Sequence, residues 1–75
     1  MKDAKIKMQF KPGKVYYQVE TGSNIKCCVV YDKWTKEYRL KIGLEKPRMT
    51  KVVFNDLLDA LDYAQEAIGE FRLND

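Results

Sequence analysis

Apolar and polar residues alternate along the first two-thirds of the chain, which is the pattern of half-buried β-strands. The clearest stretches have apolar or aromatic residues at positions 6, 8 and 10, at 15, 17 and 19, and at 38, 40 and 42. Turn-forming residues such as Pro12-Gly13 separate the stretches. The pattern predicts five strands, at about Lys5–Phe10, Lys14–Glu20, Ile25–Tyr31, Glu37–Ile42 and Met49–Phe54.

The third of these strands is apolar at successive positions and not only at alternate ones. Cys27, Val29 and Tyr31 face one way, while Cys28 and Val30 face the other. We therefore expect this strand to be central in the sheet or covered on both sides. All connections are short, so neighbouring strands are expected to pair antiparallel as a meander.

The last third of the chain changes to a helical period. Its apolar stripe, with spacings of four, three and four, consists of Leu57, Leu61, Ala64 and Ile68. Asn55 is the expected N-cap, and Gly69 is expected to mark the end or a weak point of a helix over about 56–68. The stripe is expected to lie across the apolar face of the sheet. The prediction is one α+β domain over 1–75, a four- or five-stranded antiparallel β-meander packed against one C-terminal α-helix.

Charge separates along the chain in the same way as the periodicity. The net charge of +3 divides into +8 for residues 1–54, which hold 13 Lys+Arg and 5 Asp+Glu, and −5 for residues 55–75, which hold 1 and 6. If the helix covers one side of the sheet, the alternate strand positions place basic side chains on the other. The expected basic face contains Lys5, Lys7, Tyr16, Lys26, Arg39, Lys41 and Lys51.

Clustered lysine and arginine around an aromatic ring favour a nucleic-acid partner, because phosphates bind the cations and an unpaired base stacks on the ring. The chain is therefore predicted to be a small nucleic-acid-binding module, contacting DNA or RNA mainly at phosphates. A simpler alternative is a solvated surface, since lysines also keep sheets soluble.

A second functional alternative is a protein-interaction module, or a small inhibitor of a cellular or host protein. Its candidate residues are Tyr31, Lys33 and Trp34, in and beside a polar loop at the sheet edge. A tryptophan in such a loop is either a core plug or an exposed anchor. The sequence leaves both open and slightly favours the plug.

Catalysis, metal binding and a cofactor are not expected. The chain has no histidine, and its two cysteines, Cys27 and Cys28, are adjacent, which suits neither a four-ligand zinc site nor a bridge between them. The acidic residues of the helix, Asp59, Asp62, Glu66 and Glu70, are expected to form a solvated ridge.

The cellular setting is expected to be the cytoplasm. Free cysteines fit a reducing compartment, and no apolar run reaches the length of a membrane span. A homodimer that buries Cys28 and Val30 on the open side of the sheet is a further possibility.

Overall fold

The computed structural model describes the backbone of residues 6–73 and the side chains of residues 8–70. In this part of the chain five strands precede one helix: β1 (Ile6–Lys11), β2 (Lys14–Val19), β3 (Lys26–Asp32), β4 (Glu37–Gly43), β5 (Arg48–Phe54) and α1 (Leu57–Leu73). Each strand pairs antiparallel with the next, so the order in the sheet is β1-β2-β3-β4-β5. The predicted α+β fold, an antiparallel meander packed with one C-terminal helix, is confirmed.

The helix differs from the prediction at both ends. The Ala60 amide donates to the Asp56 carbonyl at 3.2 Å, so Asp56, and not Asn55, holds the N-cap position. At the other end α1 continues through Gly69 to Leu73. A glycine ends a helix when it takes the left-handed conformation. The glycines with positive φ are Gly13 and Gly22, so Gly69 remains helical.

The core lies between α1 and strands β3, β4 and β5, the strands that the helix contacts. Val29 and Leu40 are fully buried in the middle of the sheet. Ala60 and Ala64 are fully buried on the helix, where their small side chains allow the helix backbone to approach the strands. Around these four the cluster adds Val19, Ile25, Cys27 and Ile68.

α1 lies across the apolar side of the sheet, as predicted, but it does not extend over β1. Met8 pairs with Tyr17 and Phe10 with Val15, so both lie on the helix side, yet they are 51% and 67% exposed. A helix is about 10 Å wide and strands are about 4.8 Å apart, so one helix spans only two or three strands. The β1–β2 hairpin extends beyond it.

An aromatic cluster forms the boundary between the covered and uncovered parts of the helix side. The Tyr38 ring lies 4.6 Å from that of Tyr31 and 6.4 Å from that of Tyr17, centroid to centroid. Burial raises the pKa of the Tyr38 hydroxyl, and the neighbouring Tyr17, Tyr31 and Asp56 raise it further. The helix begins close to Tyr38, because Tyr38 pairs with Phe54 and α1 starts at Leu57.

Candidate nucleic-acid interface

The open face is the side of the sheet opposite α1. Antiparallel register assigns residues to it, because directly paired residues share a face. Tyr16 pairs with Val30 and Val30 with Arg39, while Cys28 pairs with Lys41. By this register the open face contains Gln9, Lys11, Lys14, Tyr16, Gln18, Lys26, Cys28, Val30, Asp32, Glu37, Arg39, Lys41, Met49 and Val53.

The centre of the open face is apolar and already buried. Cys28 and Val30 are buried even though α1, the helix of the described residues, packs on the other side of the sheet. Longer side chains flank them in the register, Gln18 and Lys41 beside Cys28, and Tyr16 and Arg39 beside Val30. A single chain therefore already buries Cys28 and Val30, the two residues that the possible homodimer would cover. The first of the two alternatives predicted for β3, a central position in the sheet, is confirmed.

Tyr16 lies between two lysines on this face. The Lys11 ammonium is 5.3 Å from the centroid of the Tyr16 ring, and the Lys41 ammonium is 5.9 Å from it. Both distances allow a cation–π attraction, which holds the two charges near one half-buried aromatic ring. The same Lys41 charge opposes the effect of burial at Cys28, whose pKa is raised mainly by desolvation.

Charge on the open face is graded along the strands. Asp32 pairs with both Lys14 and Glu37 at one end, and the Arg39 guanidinium lies 3.4 Å from the Glu37 carboxylate. The opposite end carries Lys26, paired with Gly43, and Lys41. Lys26 and Lys41 therefore lie away from Asp32 and Glu37, and Glu20 lines the concavity beside Lys26.

Four of the predicted site residues come together here: Tyr16, Lys26, Arg39 and Lys41. Lys51 is exposed on β5, where the register with β4 shifts between Arg39 and Lys41, so its pairing does not assign it to the face. The backbone of Lys7 pairs with Gln18, but its side chain lies outside the described residues, and so does all of Lys5.

The prediction missed Lys11 and Lys14. They flank the Pro12-Gly13 turn: Lys11 lies one residue beyond the predicted end of the first strand, and Lys14 is the first residue of the predicted second strand. The alternation of side chains along the first strand indicates that Lys11 belongs to the face, since position 11 follows the polar positions 7 and 9. Lys14 lies two residues before Tyr16 in the second strand, so both side chains point to the same side of the sheet.

A shallow open concavity of about 480 Å³ adjoins the basic end of the face. It is lined by Gln9, Gln18 and Lys26 together with the loop between β2 and β3. The loop is internally bonded, since the Thr21 hydroxyl donates to the Ile25 carbonyl at 2.8 Å. The concavity is polar and open to solvent, which suits contact with a flexible polar chain.

Trp34 lies in the loop between β3 and β4 and is 84% exposed, so the favoured core-plug interpretation is wrong. Its backbone amide donates to the Asp32 carboxylate at 2.8 Å, which fixes the loop. A Cβ added at Gly13 would lie 2.7 Å from the indole nitrogen, so the ring rests against the β1–β2 turn. Lys33 is exposed in the same loop, whereas Tyr31 points to the helix side and packs on Tyr38.

Other chemistry is limited in the part of the chain that the structure describes. Cys27 and Cys28 are free and buried. Burial raises the pKa of the Cys27 thiol to about 12, so it is protonated at neutral pH. The described side chains include no group of three or more potential metal ligands, and the described helix lacks the length and apolar character of a membrane span.

Comparisons with protein-family models, with curated proteins and with solved structures give no match to this chain.

Proposed function

We propose that this protein binds nucleic acid through the open face of its sheet, as a small module without catalytic activity. The observation that carries the proposal is the half-buried Tyr16 ring with the Lys11 and Lys41 ammonium groups 5.3 and 5.9 Å from its centroid. A nucleic acid offers both complementary groups, phosphates for the ammonium groups and a base for the aromatic ring.

The surroundings of Tyr16 support the same partner. Five cationic side chains, Lys11, Lys14, Lys26, Arg39 and Lys41, share the face with two carboxylates, Asp32 and Glu37. Asp32 and Glu37 lie at one end of the face, and Lys26 and Lys41 lie toward the other end, where Glu20 lines the adjoining concavity. Lysines outnumber arginines, which favours phosphate contact over reading of base edges.

A labelled oligonucleotide, first single-stranded and then duplex, tests the proposal by fluorescence anisotropy at several salt concentrations. We expect saturable binding that weakens with salt. Lys11→Gln with Lys41→Gln removes two phosphate contacts and is expected to lower the slope of log K against log salt by about 1.4 on a single strand. Tyr16→Leu is expected to cost about 1–3 kcal/mol if a base stacks on the ring.

The matched control is Lys33→Gln with Lys46→Gln, which removes the same charge from exposed loop positions away from the open face. The control is expected to retain the salt slope of the parent protein. Equal losses in the two double variants would mean that net charge alone drives binding, and the open face would no longer be the site.

A second candidate is recognition of a protein through the loop between β3 and β4. The exposed, hydrogen-bonded Trp34 favours it, because ordered aromatic side chains are common interface anchors. Trp34→Ala is expected to abolish salt-tolerant capture of a protein partner and to leave oligonucleotide affinity unchanged. Leu44→Ala, in the exposed loop between β4 and β5, is the control. Loss of oligonucleotide binding in Trp34→Ala would instead mean that this loop is part of the nucleic-acid site.

We propose the cytoplasm as the setting, because two free cysteines fit a reducing compartment.

A further inference from the structure

An apolar notch lies beside α1 on the helix side of the sheet. Its floor is the uncovered hairpin, with Met8, Phe10 and the partly exposed Tyr17, and its inner end is Tyr31 at the edge of the aromatic cluster. The notch exists because α1 contacts β3, β4 and β5, which leaves the hairpin without a covering layer.

The wall of the notch is the flank of α1 that carries Leu58. At 100° per residue, Leu58 and Tyr63 lie about 110° to either side of the centre of the buried stripe. The Tyr63 ring packs on Phe54 of β5, centroids 5.3 Å apart, so the Leu58 flank faces β2. Leu58 is 69% exposed, and with Met8 and Phe10 it gives the notch three exposed apolar side chains.

We propose that a second copy of this chain fills the notch, forming a two-fold symmetric dimer in which the β1–β2 hairpins pack face to face. The hairpin of each copy then completes the helix layer of the other. Stacked sheets and a helix packed on a sheet have the same layer spacing of about 10 Å, so a hairpin fits beside α1 at the depth that the helix already occupies.

The two-fold axis that permits this packing runs parallel to the strands between β1 and β2. It places β1 of one copy over β2 of the other, and it brings each β1 edge against the partner's helix flank. Exposed edge strands invite uncontrolled pairing, and a covering helix is one way that proteins block it. A single contact therefore covers both the apolar floor and the free edge of β1.

Charge complementarity favours a second copy over an unrelated partner. The acidic ridge of α1, which includes Asp62 and Glu66, lies on the outer side of the helix, opposite the buried stripe. In the face-to-face dimer the open side of the partner's hairpin lies at this same level, and that side carries Lys11 and Lys14. The Lys11 and Lys14 side chains are opposite in charge to the Asp62 and Glu66 carboxylates, so these groups favour the packing of one copy on the other.

The proposal does not depend on nucleic-acid binding. Both open faces point outward on opposite sides of the dimer, so Tyr16, Lys26 and Lys41 remain accessible, while Lys11 and Lys14 lie at the edge nearest the partner's helix. A dimer without oligonucleotide affinity, or a monomer with it, would separate the two proposals.

Sedimentation equilibrium over a range of protein concentrations, with the full chain, tests the dimer. Met8→Lys and Met49→Lys form a matched pair, because these methionines are 51% and 46% exposed and lie on opposite sides of the sheet. Met8→Lys and Leu58→Lys are each expected to weaken association at least about tenfold. Met49→Lys is expected to leave it unchanged.

Dilution followed by amide NMR gives an independent measurement. The expected shifts map to the hairpin and to the first two turns of α1, and amides in the middle of β4 stay fixed. A chain that remains monomeric at the millimolar concentrations used for NMR would overturn the proposal and leave the notch to another occupant. Equal weakening by Met8→Lys and Met49→Lys, or shifts confined to the open face, would overturn it as well.

Discussion

The two halves of the helix side have similar strand patterns and different burial. Leu40 in β4 and Met8 in β1 are both apolar residues at alternate positions on the same side of the sheet. Leu40 is fully buried beneath α1, while about half of Met8 is exposed. Alternation in a strand therefore shows which side a residue faces, and the position of the one helix decides whether that side is covered.

The difference predicts how each half is stabilised. The β3–β5 half combines the hydrogen-bonded ladder with burial against the helix. The β1–β2 hairpin has its ladder, its turn and its pairing with β3, but little apolar burial at β1. Because a two-stranded hairpin is marginal in water, β1 depends on the rest of the sheet.

The largest expected effect comes from truncating a residue in the covered half. Leu40→Ala leaves a cavity under α1 and is expected to lower the free energy of unfolding by about 2–5 kcal/mol. Met8→Ala removes a half-exposed side chain and is expected to cost less than about 1 kcal/mol. Urea unfolding at low protein concentration, where any dimer dissociates, measures both. Similar losses for the two variants would contradict the distinction between the halves.

The pH dependence of stability tests how well the covered half excludes water. The Cys27 thiol has a pKa of about 12 in the folded chain against 9.0 for a free thiol, with burial as the main cause and Cys28 adding to it. Above about pH 9 the unfolded chain loses this proton while the folded chain retains it, so stability falls as pH rises toward 12. The contribution is about 1.4 kcal/mol per pH unit.

Cys27→Ala is the control for this effect. The variant is expected to be less stable at neutral pH and to lose stability less steeply between pH 9 and pH 11 than the parent. Tyr38 and Cys28 remain in both proteins, so the difference in slope isolates Cys27. Parallel slopes would show that water reaches the thiol in the folded state.

Amide hydrogen exchange compares the two halves without mutation. Amides paired between β3 and β4 are expected to exchange only through global unfolding, since the helix seals one side of these strands. Amides paired between β1 and β2 are expected to exchange at least about tenfold faster, through opening of the hairpin. Equal protection in dilute, monomeric protein would show that the hairpin and the core unfold as one unit.

Most of the fold follows from short-range patterns in the sequence. All five strands lie within two residues of their predicted ends, because alternation and turn residues are local signals. Whether α1 buries a strand residue, by contrast, depends on residues that are distant in the sequence. The exposure of Met8 and Phe10 depends on where α1 lies over the sheet, and no periodicity within β1 contains that information. Gly69 shows a similar limit, since its conformation and not its presence decides whether the helix ends.

The candidate site was predicted in part for the same reason. Alternation along the strands predicted that Tyr16, Arg39 and Lys41 lie on one face, and the strand register confirms this. The proximity of Lys11 and Lys41 to the same ring depends on side-chain reach across strands, which alternation does not give. Trp34 was ambiguous because a short loop allows its ring to fold inward or to rest on a neighbouring turn.

The better-buried half of the sheet has the more strained hairpin turn. The uncovered β1–β2 hairpin uses Gly13 at a φ of 77°, a conformation that glycine adopts without strain. The β3–β4 hairpin places Lys36 at a φ of 61°, where a side chain is unfavourable. The Lys36 amide donates to the Asp32 carbonyl at 2.7 Å, and the surrounding ladder holds the residue there. The better-packed half therefore tolerates the less favourable turn.

The smallest expected effect is a gain in stability at this turn. Lys36→Gly relieves the left-handed strain and is expected to raise the free energy of unfolding by about 0.5–1 kcal/mol, reduced somewhat by the added freedom of the unfolded chain. Lys33→Gly removes the same charge at a neighbouring position without positive φ, so it is expected to be neutral or destabilising. Thermal unfolding at matched ionic strength compares the two. A gain in both variants would trace the effect to the lost lysine charge, and a loss in Lys36→Gly would mean that the Lys36 side chain stabilises the turn more than its backbone strain destabilises it.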